Sequence, residues 1–97
     1  MTDQITITHH DQGARGEYQA RVEGIELIGR LTYVRRGDVL VADHTLVPKE
    51  IGGRGIAADL VKALVADART HGWKIQPQCS YVVAMFERNP QWADLKA

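Results

Sequence analysis

The chain has a single cysteine, Cys79, so no disulfide can close within it and its stability must come from burial. It has no apolar run near the roughly 20 residues that a membrane span requires. Neither charge is in excess: 12 Lys and Arg stand against 12 Asp and Glu. That balance excludes the basic surplus by which polyanion binders hold a phosphate backbone, and with it a nucleic-acid partner. The first residues, Met1-Thr2-Asp3-Gln4, lack the basic-then-apolar character of a secretory signal. Internal repeats and low-complexity stretches are missing too. These absences point to a cytoplasmic protein with neither a membrane nor a nucleic acid as partner.

What remains is ordinary globular material, 44% apolar and 25% charged. At 97 residues the chain is expected to form one domain over 1–97, because a second would be too small to hold a core. Its character changes near Pro48. Before it, Ile5 and Ile7 alternate with Thr6 and Thr8, and Asp11-Gln12-Gly13 reads as a turn. Tyr18, Ala20 and Val22 alternate with Glu17, Gln19 and Arg21 until Gly24 interrupts them. Leu27 to Val34 resumes the pattern, Arg36-Gly37-Asp38 signals a tight turn, and Val39 to Val47 is again rich in β-branched residues. An antiparallel meander of about four strands is expected.

After Pro48 the period lengthens. Ala57, Leu60, Val61, Leu64, Val65 and Ala68 share a helical face, and Gly72 is placed to stop the helix. Trp73-Lys74-Ile75-Gln76 is short enough for one more strand, closed by Pro77. A second short helix from about Ser80 would bury Val82, Val83, Met85 and Phe86, and Asn89-Pro90 would cap and open a last turn through Trp92. The fold class implied is α+β, a long helix packed on a mostly antiparallel sheet.

The densest signal lies in front of that helix. Gly52, Gly53 and Gly55 crowd into "KEIGGRGIAADLV". Glycines there allow a sharp turn and bring backbone amides together at a helix start, where donors are unpaired and the partial charge is positive. Such a corner suits an anion, phosphate above all. It equally suits a plain tight connection. It is not a P-loop, for no Gly-Lys-Ser/Thr follows at the required spacing. Nor is it a dinucleotide fingerprint, since the strands before it read as antiparallel.

"VPKEIGGRGIAADLV" resembles the acyl-coenzyme A-binding motif of the GNAT superfamily of N-acetyltransferases, Gln/Arg-x-x-Gly-x-Gly/Ala. Gly55-Ile56-Ala57 matches its end, and Gly52 stands where the family prefers Gln or Arg. "ADHTLVP" and "PQCSYVVAMFERNPQWADL" extend the resemblance to a compact branch with a Pro-x-Cys-Ser-Tyr element. The likeness runs from about Tyr18 onward. Longer members carry helices between their first strands that help form the acceptor site, and this chain lacks them.

The resemblance implies acetyl-coenzyme A as cofactor. Its diphosphate would sit over the amides of Gly53, Arg54, Gly55, Ile56 and Ala57, with Gly52 in the same loop. The strand ending at Leu46-Val47 would splay from the strand near Ile75 and pair with the pantetheine arm. The thioester would lie near the Pro77–Cys79 segment. Cys79 precedes a helix, which favours the thiolate. In the family's frame it would accept acetyl, protonate the leaving thiolate or form a mixed disulfide; a small buried hydrophobe is the alternative. His44 is a candidate base, since imidazole titrates near neutrality, and Tyr81 a candidate acid. Tyr33 and Thr45 are candidates to line the acceptor pocket. Each of these residues also fits simple packing.

His9 and His10 are adjacent on a strand and point to opposite faces, a poor pair for a metal. Glu50 and Glu87 read as solvated surface, and Trp73 and Trp92 as packing. The expected function is transfer of acetyl to an amine, on a small metabolite, a peptide or a protein lysine. The site would be open, or completed by a partner or a second copy, in a monomer or weak homodimer. The alternatives are a non-catalytic acyl-coenzyme A binder, with or without a covalent Cys79 adduct, and an interaction domain on the same fold.

Overall fold

The computed structural model describes residues 4–97. Five strands run in order: β1 (Ile5–Asp11), β2 (Arg15–Val22), β3 (Ile28–Arg36), β4 (Val39–Leu46) and β5 (Lys74–Pro77). Helix α1 (Ile56–His71) joins β4 to β5, and helix α2 (Ser80–Arg88) follows β5. Short 3-10 turns occupy Lys49–Ile51 and Pro90–Leu95. The sheet order is β1-β2-β3-β4-β5, antiparallel through β4, with β5 parallel to β4. This is the α+β arrangement the sequence pattern implies.

Strand alternation sorts the side chains. Tyr18, Ala20 and Val22 of β2, Leu31 and Tyr33 of β3, and Leu40 and Ala42 of β4 are buried on one face. Helix α1 lies against them through Ile56, Leu60, Val61, Leu64, Val65 and Ala68. A 16-residue helix is marginal alone. Each fully buried Leu, Ile or Val side chain contributes about 1.5–3 kcal/mol, so this stripe holds α1 in place. Val82, Met85, Phe86, Trp92 and Leu95 complete the same core from α2 and the last turn. On the other face Arg15, Glu17, Gln19, Arg30, Thr32 and Val34 stand exposed or half-exposed, and among the described residues no helix covers them.

Three expectations need correction. Ile56 opens the buried stripe of α1, and Ala57, expected on that stripe, is only half-buried. Val83 is 37% exposed, since α2 turns Val82, Met85 and Phe86 inward and leaves the position between them outside. Asn89 makes no side-chain cap for the last turn; its Nδ2 donates to the Met85 carbonyl at 2.8 Å and closes α2 instead.

The free edge of β5 is covered by the chain's own end. Lys96 bridges Ile75, and the Ala97 amide donates to the Ile75 carbonyl at 2.8 Å. No helix among the described residues is long and apolar enough to cross a membrane.

Candidate active site where β4 and β5 part

Strands β4 and β5 pair from Val39 and Lys74 as far as Ala42 and Pro77. Pro77 offers no amide to continue the ladder. The Ala42 carbonyl then accepts two hydrogen bonds, from the amides of Gln78 at 3.0 Å and Cys79 at 2.9 Å. Beyond that point β4 continues through Asp43, His44, Thr45 and Leu46, while the other chain turns into α2. The β5-facing backbone of these four residues has no strand beside it among the described residues. Leu46, one of the residues expected to bind the cofactor, is 67% exposed there, and Val47 is half-buried against the core.

The glycine loop follows from the same strand. It is pinned at both ends by buried isoleucines, Ile51 and Ile56, and exposed between them at Gly52, Gly53 and Gly55. Gly53 (φ +76°) and Gly55 (φ +75°) take left-handed conformations that a side chain would strain. The Gly52 amide is already spent, donating to the Lys49 carbonyl at 3.0 Å, so Gly52 shapes the loop and offers no donor. Arg54 folds back, its Nη1 donating to the Glu50 carbonyl at 3.1 Å.

This corner fits a diphosphate. The amides of Gly53, Gly55, Ile56 and Ala57 meet no backbone acceptor among the described residues; the first such bond in the helix runs from Asp59 N–H to the Gly55 carbonyl. The N-cap Gly55 supplies no side-chain acceptor either. No atom outside the loop lies within 4 Å of where a Cβ on Gly53 or Gly55 would be, so a ligand can approach the backbone closely. The positive end of the α1 dipole adds to the attraction. Gly53, Gly55, Ile56 and Ala57 are the residues that would hold it.

Cys79 stands at the fork as the N-cap residue of α2. Its Sγ lies 3.4 Å from Thr45 Oγ1, so the thiol of one arm meets the hydroxyl of the other. Burial pushes the thiol pKa up, but the Thr45 hydroxyl and the amides of Val82 and Tyr81 outweigh it, and the net value falls below the ordinary thiol range. Tyr81 sits half-buried in the first turn of α2, packed against the edge of the core.

His44 is exposed on the opposite face of the sheet from α1. A bulge brings it there with Asp43: Tyr33 pairs with Ala42 but Thr32 pairs with His44, so Asp43 is the extra residue. Thr32 Oγ1 donates to Asp43 Oδ1 at 2.6 Å and holds the bulge. Around this point the open face forms a concavity of about 470 Å³, bordered by Gln12, Arg15, Glu17, Thr32, Asp43 and His44.

Cys79 and Thr45 therefore meet at the fork, with the Tyr81 amide beside the sulfur and His44 on the strand that forms one of its arms. Tyr33 does not join them. Although its backbone neighbours the concavity, the residue is 1% exposed on the α1 face. Its hydroxyl shares a 2.6 Å hydrogen bond with His9 Nε2.

That bond belongs to a cluster that sequence reading missed. His9 stacks on Tyr18 with ring centroids 4.3 Å apart. The Tyr18 hydroxyl donates to Asp67 Oδ2 at 2.6 Å, and His9 Nδ1 lies 3.6 Å from the same oxygen. Burial raises the pKa of both tyrosines, and the hydrogen bond to Asp67 adds to the shift at Tyr18. These groups tie β1, β2 and β3 to the last turns of α1, at the end of the sheet away from the glycine loop. His10 points the other way and bonds Thr8 Oγ1 at 2.9 Å.

The model of the GCN5-related N-acetyl-transferase family matches residues 17–95. The chain belongs to that family. Among solved structures it is similar to the NMR solution structure of a GCN5-like protein from Staphylococcus aureus assigned to the N-acetyltransferases. The two share 27% identity with a TM-score of 0.65, over 93% of this chain and 87% of the other. No curated protein matches the chain in sequence.

Proposed function

We propose that this chain is a cytoplasmic N-acetyltransferase that draws acetyl from acetyl-coenzyme A and delivers it to an amine. The observation that carries the reading is the parting of β4 and β5 at Ala42, on the strand that leads into the glycine loop. When bound, acetyl-coenzyme A supplies an acetyl group activated as a thioester. The amides of Gly53, Gly55, Ile56 and Ala57 hold its diphosphate. The unpaired backbone of β4 near Leu46 and Val47 receives the amide-bearing arm as an added strand would be received.

The chain's own groups manage the protons. His44, exposed to the open face, is the base that takes the proton of the incoming ammonium. Cys79 Sγ–H, whose proton is loosened by its surroundings, is the donor on the other side of the fork, with Tyr81 Oη as the second candidate. Thr45 orients the sulfur through the 3.4 Å contact.

A second reading, a non-catalytic binder carrying a covalent adduct on Cys79, draws support from the same thiolate-favouring surroundings. One set of measurements separates the two. Acetyl-coenzyme A should raise the melting temperature, with about 2.7 kcal/mol of added stability at a hundredfold excess over Kd. In the presence of an amine library free coenzyme A should then be released with turnover. A single-equivalent release, with an acetyl or coenzyme A increment on the intact protein, establishes the binder. No thermal shift at any concentration overturns both.

A further inference from the structure

We propose that the acceptor is a small zwitterion, an amine with a carboxylate at its far end. It docks on the open face of the sheet with its amine at Asp43 and His44 and its carboxylate at Arg15. The proposal rests on the acetyltransferase reading above and names the substrate class of that site.

The concavity of about 470 Å³ falls within the usual range for small-molecule sites. Its two ends differ in charge. At the β4 end Asp43 gives one oxygen, Oδ1, to Thr32, while Oδ2 makes no hydrogen bond or ion pair with a described residue. Glu17, on β2, is already engaged: Gln19 Nε2 donates to its Oε2 at 2.6 Å and Arg30 stands 3.7 Å away. The unspent negative charge of the concavity therefore lies at Asp43, beside His44.

Arg15 marks the opposite corner. It stands on β2, paired with Val34 of β3, two register positions beyond the Glu17–Thr32 pair and on the same face. Its guanidinium makes no hydrogen bond or ion pair with a described residue, although Arg30, Arg35 and Arg69 all do. Two strand spacings separate β2 from β4, about 10 Å, and the two-residue offset along the strands adds about 7 Å, so the corners stand about 12 Å apart. After the reach of the Arg15 side chain, an ω-amino acid of about four to six carbons spans the gap.

The polarity of this arrangement also matches the fork. The amine end sits on β4, the strand whose Thr45 touches Cys79 across the split. The carboxylate end sits two strands away from it. A diamine would set its second cation against Arg15 and be repelled, so the same residue that selects the zwitterion rejects polyamines.

The test uses matched probes: 4-aminobutyrate against propylamine and 6-aminohexanoate against pentylamine, each pair differing only by the carboxylate. Binding of acetyl-coenzyme A is first established by thermal shift. Acetylation should then favour the amino acids by about tenfold or more in kcat/KM, the worth of one charge-assisted hydrogen bond. In the coenzyme A-loaded protein, titration with 6-aminohexanoate should move the backbone NMR signals of Arg15, Thr32 and Asp43. Arg15→Gln should bring the preference ratio toward one, and Arg15→Lys should restore most of it. Equal rates within each pair, a preference for putrescine or for a lysine peptide, or signals that move elsewhere overturn the proposal. If acetyl-coenzyme A itself fails to bind, the acetyltransferase reading falls; if it binds and the carboxylate makes no difference, only this inference does.

Discussion

The Tyr33 hydroxyl occupies the space of a side chain on Gly16. A Cβ built there would stand 2.4 Å from Tyr33 Oη and 2.8 Å from the His10 carbonyl oxygen. Gly16 is glycine because the ring crosses β2 to reach His9. Gly16→Ala should therefore cost about 3 kcal/mol, the upper range of overpacking, since one of the two obstacles is backbone. Urea unfolding checks it, and a loss below about 0.5 kcal/mol would show that the ring is free to move aside.

The same cluster sets a pH dependence. Burial lowers the His9 pKa below 6.5, although Asp67 and Asp11 pull it upward and Arg35 reinforces the fall. The unfolded chain thus binds the His9 proton more readily than the folded one. The stability contributed is present above pH 6.5 and is lost as pH falls through the lower, folded value. Urea melts between pH 7.5 and pH 5 should show the decline. His9→Asn should flatten it, and an unchanged slope in that variant would place the titration elsewhere.

Cys79 should alkylate as a low-pKa thiol. Its rate with iodoacetamide should plateau with a midpoint below the ordinary value of 9.0. Thr45→Val removes the hydroxyl 3.4 Å away and should move the midpoint upward. A midpoint that stays put would show that the α2 amides alone set the thiolate. If Cys79 is the proton donor, Cys79→Ala should lower kcat much more than it raises KM for acetyl-coenzyme A.

The glycine loop can be tested by charge and by bulk separately. Gly53→Glu places a carboxylate among the donors and should weaken acetyl-coenzyme A binding at least about a hundredfold, a like-charge penalty of several kcal/mol. Gly53→Ala has open space around its Cβ and pays only for the left-handed φ of +76°. It should stay within about tenfold of the parent. Calorimetric titration distinguishes the two, and equal losses would mean that backbone shape, not anion attraction, holds the ligand.

Elements built on local periodicity were legible in advance. The β2 alternation around Tyr18, Ala20 and Val22, the α1 stripe from Leu60 to Ala68 and the Gly72 stop each depend on neighbours a few residues away. The glycine loop was legible for the same reason. Its finer division was not: the 3-10 turn at Lys49–Ile51 consumes the Gly52 amide, and only the folded backbone shows it. Tyr33 read as a pocket residue because a strand tyrosine fits either face, and the register with Gly16 decides which. The bulge at Asp43 left no signal in the sequence, because it is a mismatch between two strands.

By itself the sequence determined most of what is buried, that a helix follows the glycine loop and that no disulfide or charge surplus could take part. Hydrophobic spacing and glycine freedom are properties of a short stretch of chain, and they survive in any fold that uses it. Tertiary structure alone decided that β4 and β5 part at Ala42, that Cys79 meets Thr45, that Tyr18 reaches Asp67, and that Asp43 and Arg15 border one concavity. These relations join residues up to 49 positions apart. They depend on register and on the packing of α1 against one face only, and no local pattern encodes either.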